Sequence, residues 1–301
     1  MGRTIVEEPL TEQQKRYVES IDSMHEYPPA KTAIAVDTPD IYLKHTVLQK
    51  ADIFLLGKPQ DWKHEHRSNV ELLKLLKENQ MEKLFVPRAS TFNGIISDPN
   101  DFKDEFHTHG MKIMTGCNTD GLEIPSGSAA LIYTADCPTI IYHEIENDIL
   151  IVAHAGLASV VDIPYITTGE PSRSHEGVVD EIMLQTRSTE DYEIFVLCGI
   201  SHESFIYDPH HPIYGEKNQK ILQYLIKEYG QDSVPLGFEH GGISISGIIK
   251  QQFLDYGLNA EKIHSDKINT YTNCYFWSHS RYSHQGIPNC GRNGVLVLHK
   301  K

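Results

Sequence analysis

The stretch SAALIYTADCPTIIYHEIENDILIVAHAG, residues 128–156, decides the fold. It contains three apolar runs, of which 128–137 and 138–144 meet at Pro138, while a short polar joint separates the second from the third, 148–156. Runs of this length and composition are typical of buried strands, and the ENDI joint predicts a hairpin between the second and the third run. The centre of the chain therefore predicts adjacent strands of one sheet.

The same patterns extend outward from this centre. Apolar residues at helical spacing predict helices at 66–80, 175–187, 214–230 and 243–257. Apolar runs predict further strands at 51–57, 82–88, 192–200, 273–281 and 293–299. No Pro/Gly/Ser-rich linker divides the chain, so we expect an N-terminal extension over 1–45 and a single catalytic domain over 46–301. The predicted fold class is α+β, with layered sheets and helices.

Composition excludes several classes of protein. The 301 residues include 27 Lys and Arg against 41 Asp and Glu, and the resulting net charge of -14 disfavours binding of nucleic acid. No apolar run is long enough to span a membrane, and the N-terminus lacks the apolar core of a signal peptide. Five cysteines, an odd number without a repeating spacing, favour reduced thiols and a cytoplasmic location.

Two reactive side chains stand where predicted strands end. Cys137 precedes Pro138, which cannot continue a hydrogen-bonded ladder, and His154 closes the third apolar run. If the two strands are neighbours, the thiol and the imidazole form either two metal ligands or a nucleophile–base pair. Asp136 could then orient the imidazole or tune the thiol. The alternative is a buried free cysteine and a core histidine.

Two further segments carry candidate ligands. His109, in FHTHGMKI (106–113), could complete a three-ligand zinc site, although this segment also suits a surface loop. Near the C-terminus, Arg281 and Arg292 lie among turn residues with Ser278 and could bind a phosphate or carboxylate. The alternative for Arg281 is a structural role, bracing its loop through backbone carbonyls.

The pair TADC and HAG, at the ends of successive strands, resembles the laccase-domain family. This family is also called the multicopper polyphenol oxidase or peptidoglycan-editing-factor family, and its members are described as purine nucleoside phosphorylases. The resemblance covers about residues 50–300 and includes NTDGLEIPSGSAALIYTADC, CGISHESFIYD and NCYFWSHSR followed by GRNG. It implies a zinc centre with Cys137 and His154 as ligands, copper being the weaker choice. It also implies a small-molecule substrate, a purine nucleoside such as adenosine or inosine, that is cleaved by phosphate or deaminated.

The chain departs from the family pattern at two places. Asn93 stands where the resemblance implies a zinc-binding histidine, and Leu157-Ala158-Ser159 replaces a Trp-Arg-Gly segment whose arginine would hold phosphate. These departures leave two alternatives beside the zinc enzyme. One is a metal-free Cys-His amidohydrolase or deamidase, since the fold also resembles that of the cysteine deamidase toxins. The other is a non-catalytic binding protein.

Overall fold

The computed structural model describes residues 44–89, 94–173, 177–188, 190–287 and 290–301. Nearly all of the expected N-terminal extension, 1–45, lies outside these ranges. The strands are β1 Lys44–Val47, β2 Ala51–Leu56, β3 Lys83–Phe85, β4 Ile96–Ser97, β5 Asp104–Thr108, β6 Met111–Thr115, β7 Gly121–Glu123, β8 Ser128–Thr134, β9 Thr139–Glu144, β10 Ile149–His154, β11 Tyr192–Leu197, β12 Ile263–Ser265 and β13 Asn293–His299. The α-helices are α1 Trp62–Glu65, α2 Val70–Glu78, α3 Leu157–Val160, α4 Ile163–Thr168, α5 Val178–Gln185, α6 Gly215–Tyr229, α7 Ile245–Asp255 and α8 His279–His284.

These strands form two mixed sheets. The first has the order β1-β2-β13-β8-β3-β6-β5, and the second has the order β12-β11-β9-β10-β7-β4. In the first sheet β3 runs parallel to both β6 and β8, while β13 is antiparallel to β2 and β8. In the second sheet β9, β10 and β11 are antiparallel neighbours, and β11 pairs in parallel with the edge strand β12.

The fold has four layers, in the order helices, seven-stranded sheet, six-stranded sheet, helices. An apolar core lies between each pair of neighbouring layers. Residues of α1 and α2 pack on the outer face of the seven-stranded sheet, around Trp62, Leu72 and Leu76. The inner faces of the two sheets pack against each other. The outer face of the six-stranded sheet packs against α3, α5, α6 and α7. The fold is therefore α+β, as the sequence predicts. Its central strands are buried on both faces, which explains their continuous apolar character.

Two predictions about the strands are wrong. The three central runs are not strands of one sheet, because β8 lies in the first sheet while β9 and β10 lie in the second. Asp136 has a positive φ of 86° and Pro138 follows, so the chain leaves the first ladder between them. Segment 273–281 is not a strand either: it consists of turns and the beginning of α8, which Ser278 caps by accepting a hydrogen bond from the Arg281 N–H.

Candidate active site

The loop that carries Cys137 crosses from one sheet to the other. It follows β8 in the first sheet and enters β9 in the second, so Cys137 lies at an edge common to both. The Thr134 hydroxyl donates a hydrogen bond to the Cys137 carbonyl oxygen. The Pro138 carbonyl oxygen accepts one from the Ala155 N–H, at 2.8 Å. These contacts hold the half-buried cysteine against the end of β10.

Asp120 and His154 meet across the β7/β10 ladder. Asp120 directly precedes β7, and its carbonyl oxygen accepts a hydrogen bond from the backbone N–H of His154 at 2.8 Å. The side chains are paired as well, with 3.1 Å between His154 Nδ1 and Asp120 Oδ1. The second carboxylate oxygen of Asp120 accepts a bond from the Gly94 N–H at 2.6 Å. Both side chains are buried, so the ladder and the Gly94 contact fix the imidazole orientation.

Cys137 contacts the same imidazole. The two side chains are hydrogen-bonded, and Gly156 is the residue that leaves room for them. A Cβ atom at Gly156 would lie 3.0 Å from Cys137 Sγ and 3.1 Å from His154 Cε1. The described chain thus forms a relay in the order Cys137, His154, Asp120.

The electrostatics of this relay favour a charged imidazole. Burial alone lowers the pKa of His154, but the charge of Cys137 and the hydrogen bonds that the imidazole donates to Asp120 and Cys137 outweigh it and raise the pKa to about 10. At neutral pH His154 therefore carries a proton. A basic imidazole that is hydrogen-bonded to a cysteine is the arrangement of a nucleophile–base pair.

Asp136 does not take the role that the sequence suggested for it. One oxygen of its carboxylate accepts a bond from the Thr270 hydroxyl at 2.8 Å, and the other accepts one from the Ser280 N–H at 2.7 Å. The positive φ at Asp136 turns this side chain toward the C-terminal segment. Asp120, not Asp136, orients His154.

His109 lies far from this relay. It is exposed in the turn between β5 and β6, with a φ of 47°. Since β6, β3 and β8 are parallel, Lys112 lies level with Ser128, at the start of β8, whereas Cys137 follows the end of that strand. Six residues of strand span about 20 Å. The proposed role of His109 as third zinc ligand is therefore wrong on geometric grounds.

The sequence profile described as multi-copper polyphenol oxidoreductase laccase matches residues 101–300. That range contains all three residues of the relay. The chain belongs to this family. No protein of curated function matches it.

Solved structures show the laccase-family fold. YfiH of Bacillus licheniformis is 15% identical, with a TM-score of 0.56 over 83% of this chain and 93% of that one. YlmD of Geobacillus stearothermophilus is also 15% identical, with a TM-score of 0.58 over 87% of this chain and 100% of that one. NMB0706 of Neisseria meningitidis is 10% identical, with a TM-score of 0.58 and the same two coverages.

The metal that the family name implies needs more ligands than the relay offers. Within the described ranges, no three His, Cys, Asp or Glu side chains are grouped so that they could hold a metal ion. Cys137 and His154 supply two donors, and Asp120 is occupied by His154 and Gly94. Asn93 lies outside the described residues. The residues described do not fit a complete zinc or copper centre.

The three residues expected to bind an anion have structural roles in this laccase-family chain. The guanidinium of Arg281 donates to the carbonyl oxygens of Tyr271, Asn273 and Phe276 at 2.6–3.2 Å. Arg292 donates to the carbonyls of Cys290 and Gly291. Ser278 is buried and caps α8. The bracing alternative therefore describes the guanidinium of Arg281.

Other expectations concern the surroundings of the site. All five cysteines are present as free thiols. No helix in the ranges given above is long and apolar enough to cross a membrane. Asp120 is the one member of the relay that the sequence does not indicate by itself; its position directly before the short strand β7 is the only signal.

Proposed function

We propose that Cys137 is the nucleophile of a hydrolase that releases ammonia from an amide or amidine carbon. The hydrogen-bonded relay from Cys137 through His154 to Asp120 carries this proposal. A nucleophile, a base and a carboxylate that orients the base are the arrangement required for nucleophilic catalysis by a thiol. The half-buried position of Cys137 leaves it open to a substrate.

The first half of the reaction forms a covalent intermediate. The thiolate sulfur of Cys137 forms a bond to the amide or amidine carbon, and the electron pair of the double bond moves to its oxygen or nitrogen. When the pair returns, the bond to the amino group breaks, and His154 gives its proton to the leaving nitrogen. Ammonia departs, and Asp120 holds the neutral imidazole in position through Nδ1.

The second half restores the enzyme. Neutral His154 takes a proton from a water molecule, whose oxygen forms a bond to the same carbon. The carbon–sulfur bond then breaks and its electron pair returns to Cys137. The products are the hydrolysed substrate, the thiolate and the imidazolium, so atoms and charges balance over the cycle.

The second candidate is a zinc-dependent enzyme acting on a purine nucleoside. Membership of the family favours it, and a histidine whose second nitrogen is held by a carboxylate is typical of metal ligands. In that case Cys137 and His154 would hold the zinc, which would polarise phosphate or activate water. A third ligand would have to come from outside the described residues.

Three measurements separate these functions. We expect protein purified without added metal to contain well under one zinc per chain, and iodoacetamide to modify Cys137 rapidly at pH 7. Exposed Cys274 serves as an internal reference in the same digest. We also expect ammonia release from adenosine or from a glutamine peptide, abolished by Cys137→Ser. Stoichiometric zinc with phosphate-dependent nucleoside cleavage would establish the second candidate instead. If Cys137 is alkylated slowly, and the protein contains no zinc and has neither activity, the non-catalytic binding protein is the remaining alternative.

A further inference from the structure

A polar cavity of about 200 Å³ is lined by Pro138, the residue that follows Cys137 in the chain. Its walls include Pro138, the neighbour of Cys137, and Ile200, whose N–H donates to the Asp136 carbonyl oxygen at 2.7 Å. The cavity and the relay therefore share one stretch of backbone. A water molecule occupies about 30 Å³ in the liquid, so the cavity is large enough for a group of several heavy atoms.

The topology explains why a cavity forms at this place. Strands β11 and β12 are parallel, and the chain between them passes through α6 and α7. His202 follows the carboxyl end of β11, while Lys267 follows the carboxyl end of β12, and both line the cavity. Crevices outside the carboxyl ends of parallel strands are the usual location of ligands in open α/β sheets.

The side chains that line this cavity favour a negatively charged occupant. Lys267 is exposed and His202 is half-buried, and neither forms a side-chain hydrogen bond or ion pair with any residue that the structure describes, so both can bind a ligand. The carboxylate of Asp266 accepts bonds from the N–H groups of Cys198 and Ile268, at 2.9 and 3.3 Å, and so connects the segments that follow β11 and β12. Ser246 adds a hydroxyl group from α7. The ammonium group of Lys267 places a positive charge at this cavity in a chain whose net charge is -14.

We propose that this cavity holds an anionic group, a phosphate or a carboxylate, that belongs to the substrate on which Cys137 acts. This inference rests on the proposed function, and it narrows the substrate to an amide or amidine that carries its own negative charge. A nucleoside monophosphate would meet this description where a nucleoside would not. Lys267 and His202 would bind the charge, while Pro138 places the remainder of the molecule next to Cys137.

Binding to Cys137→Ser protein tests the proposal without any catalysis. Calorimetric titrations use two matched pairs of probes, AMP against adenosine and N-acetylglutamine against its methylamide, and inorganic phosphate alone. We expect the charged member of at least one pair to bind about tenfold more tightly, and Lys267→Gln to remove that difference. The pair that responds identifies phosphate or carboxylate as the group. Lys250→Gln, on the exposed side of α7, is the control and should leave every affinity unchanged.

Other results would overturn the proposal. Equal binding within both pairs would do so, as would a charge preference that survives both Lys267→Gln and His202→Gln. Binding of inorganic phosphate alone would indicate a free co-substrate and no charge on the substrate itself. Failure of the proposed function is seen separately, as slow alkylation of Cys137 and absence of ammonia release in the wild-type protein.

Discussion

Asp120 determines how His154 faces Cys137. Replacing it by Asn keeps the shape but removes the charge that stabilises the imidazolium, and an amide nitrogen can face Nδ1 in place of an oxygen. We expect Asp120→Asn to slow iodoacetamide modification of Cys137 at pH 7 by at least about tenfold. Asp101→Asn, an exposed carboxylate with no role at the site, is the control. Unchanged alkylation of Cys137 in Asp120→Asn would show that the relay does not activate the thiol.

Arg281 stabilises the C-terminal segment, and its variants should behave accordingly. A lysine ammonium cannot reach the three carbonyl oxygens that the planar guanidinium contacts. We expect Arg281→Lys to lower the free energy of unfolding by about 1–3 kcal/mol, measured by urea denaturation. Any dependence of activity on phosphate should stay as in the wild type. An Arg281→Lys variant with an unchanged free energy of unfolding and a weaker dependence of activity on phosphate would show instead that Arg281 binds an anion.

The sequence predicts part of the site for a physical reason. Cys137 and His154 each follow an apolar run, so their position at strand ends can be read directly from the pattern. The partnership of Asp120 and His154 cannot, because a strand ladder joins residues 34 positions apart. Nor does the sequence indicate which way Asp136 turns, since this depends on a positive φ at a non-glycine residue.

At the scale of elements, the β5–β6 hairpin separates His109 from the chemistry. His109 has a left-handed backbone conformation, which costs an L-residue other than glycine about 1–2 kcal/mol. We expect His109→Gly to raise the free energy of unfolding by up to about 1 kcal/mol, while His109→Ala, which keeps the strain, does not. Neither variant should change bound metal or the alkylation rate of Cys137. A loss of either property would place this turn near the site.

Strands could be predicted where the chain is uniformly apolar. The start of a helix could not be predicted where it depends on a capping side chain. Strands β2, β9, β10 and β13 lie within one or two residues of their predicted positions. Segment 273–281 has the aromatic content of a strand, yet Ser278 begins a helix there. The apolar pattern of β8 and β9 does not indicate that these strands belong to different sheets. A strand buried on both faces carries no alternation to show which layers it contacts.

For the molecule as a whole, His143 is a buried polar residue that lowers the stability of the folded state. It lies in β9 and is buried, and neither ring nitrogen has a hydrogen-bond partner among the described residues. Burial lowers its pKa, and the charge of His299 from β13 lowers it further. Lys50 acts in the same direction, while Asp148 and Asp191 oppose it. The ring is therefore neutral in the folded protein at pH values where it is already protonated in the unfolded chain.

This difference gives the sign of the pH dependence. The unfolded state takes up a proton near pH 6.5 and the folded state only below that, so stability is fully present above about 6.5 and falls as the pH decreases toward the folded pKa. We expect His143→Leu to be more stable than the wild type by about 1–3 kcal/mol at pH 7, with a larger difference at pH 5. Urea denaturation at both pH values measures this. Exposed His64→Leu is the control, and parallel pH profiles for His143→Leu and wild type would contradict the account.

The place of β13 determines when the protein can fold during its synthesis. Residues 293–299 form an inner strand of the seven-stranded sheet, and β2 and β8 each pair with this strand and not with each other. Until this segment has emerged from the ribosome, β2 has no β13 to pair with, so β1 and β2 cannot join the rest of the sheet. We expect nascent chains stalled with residue 292 as the last one outside the exit tunnel to be cleaved by protease as readily as unfolded chains. Chains in which residues 293–299 have also emerged should resist it, because β13 can then pair with both β2 and β8.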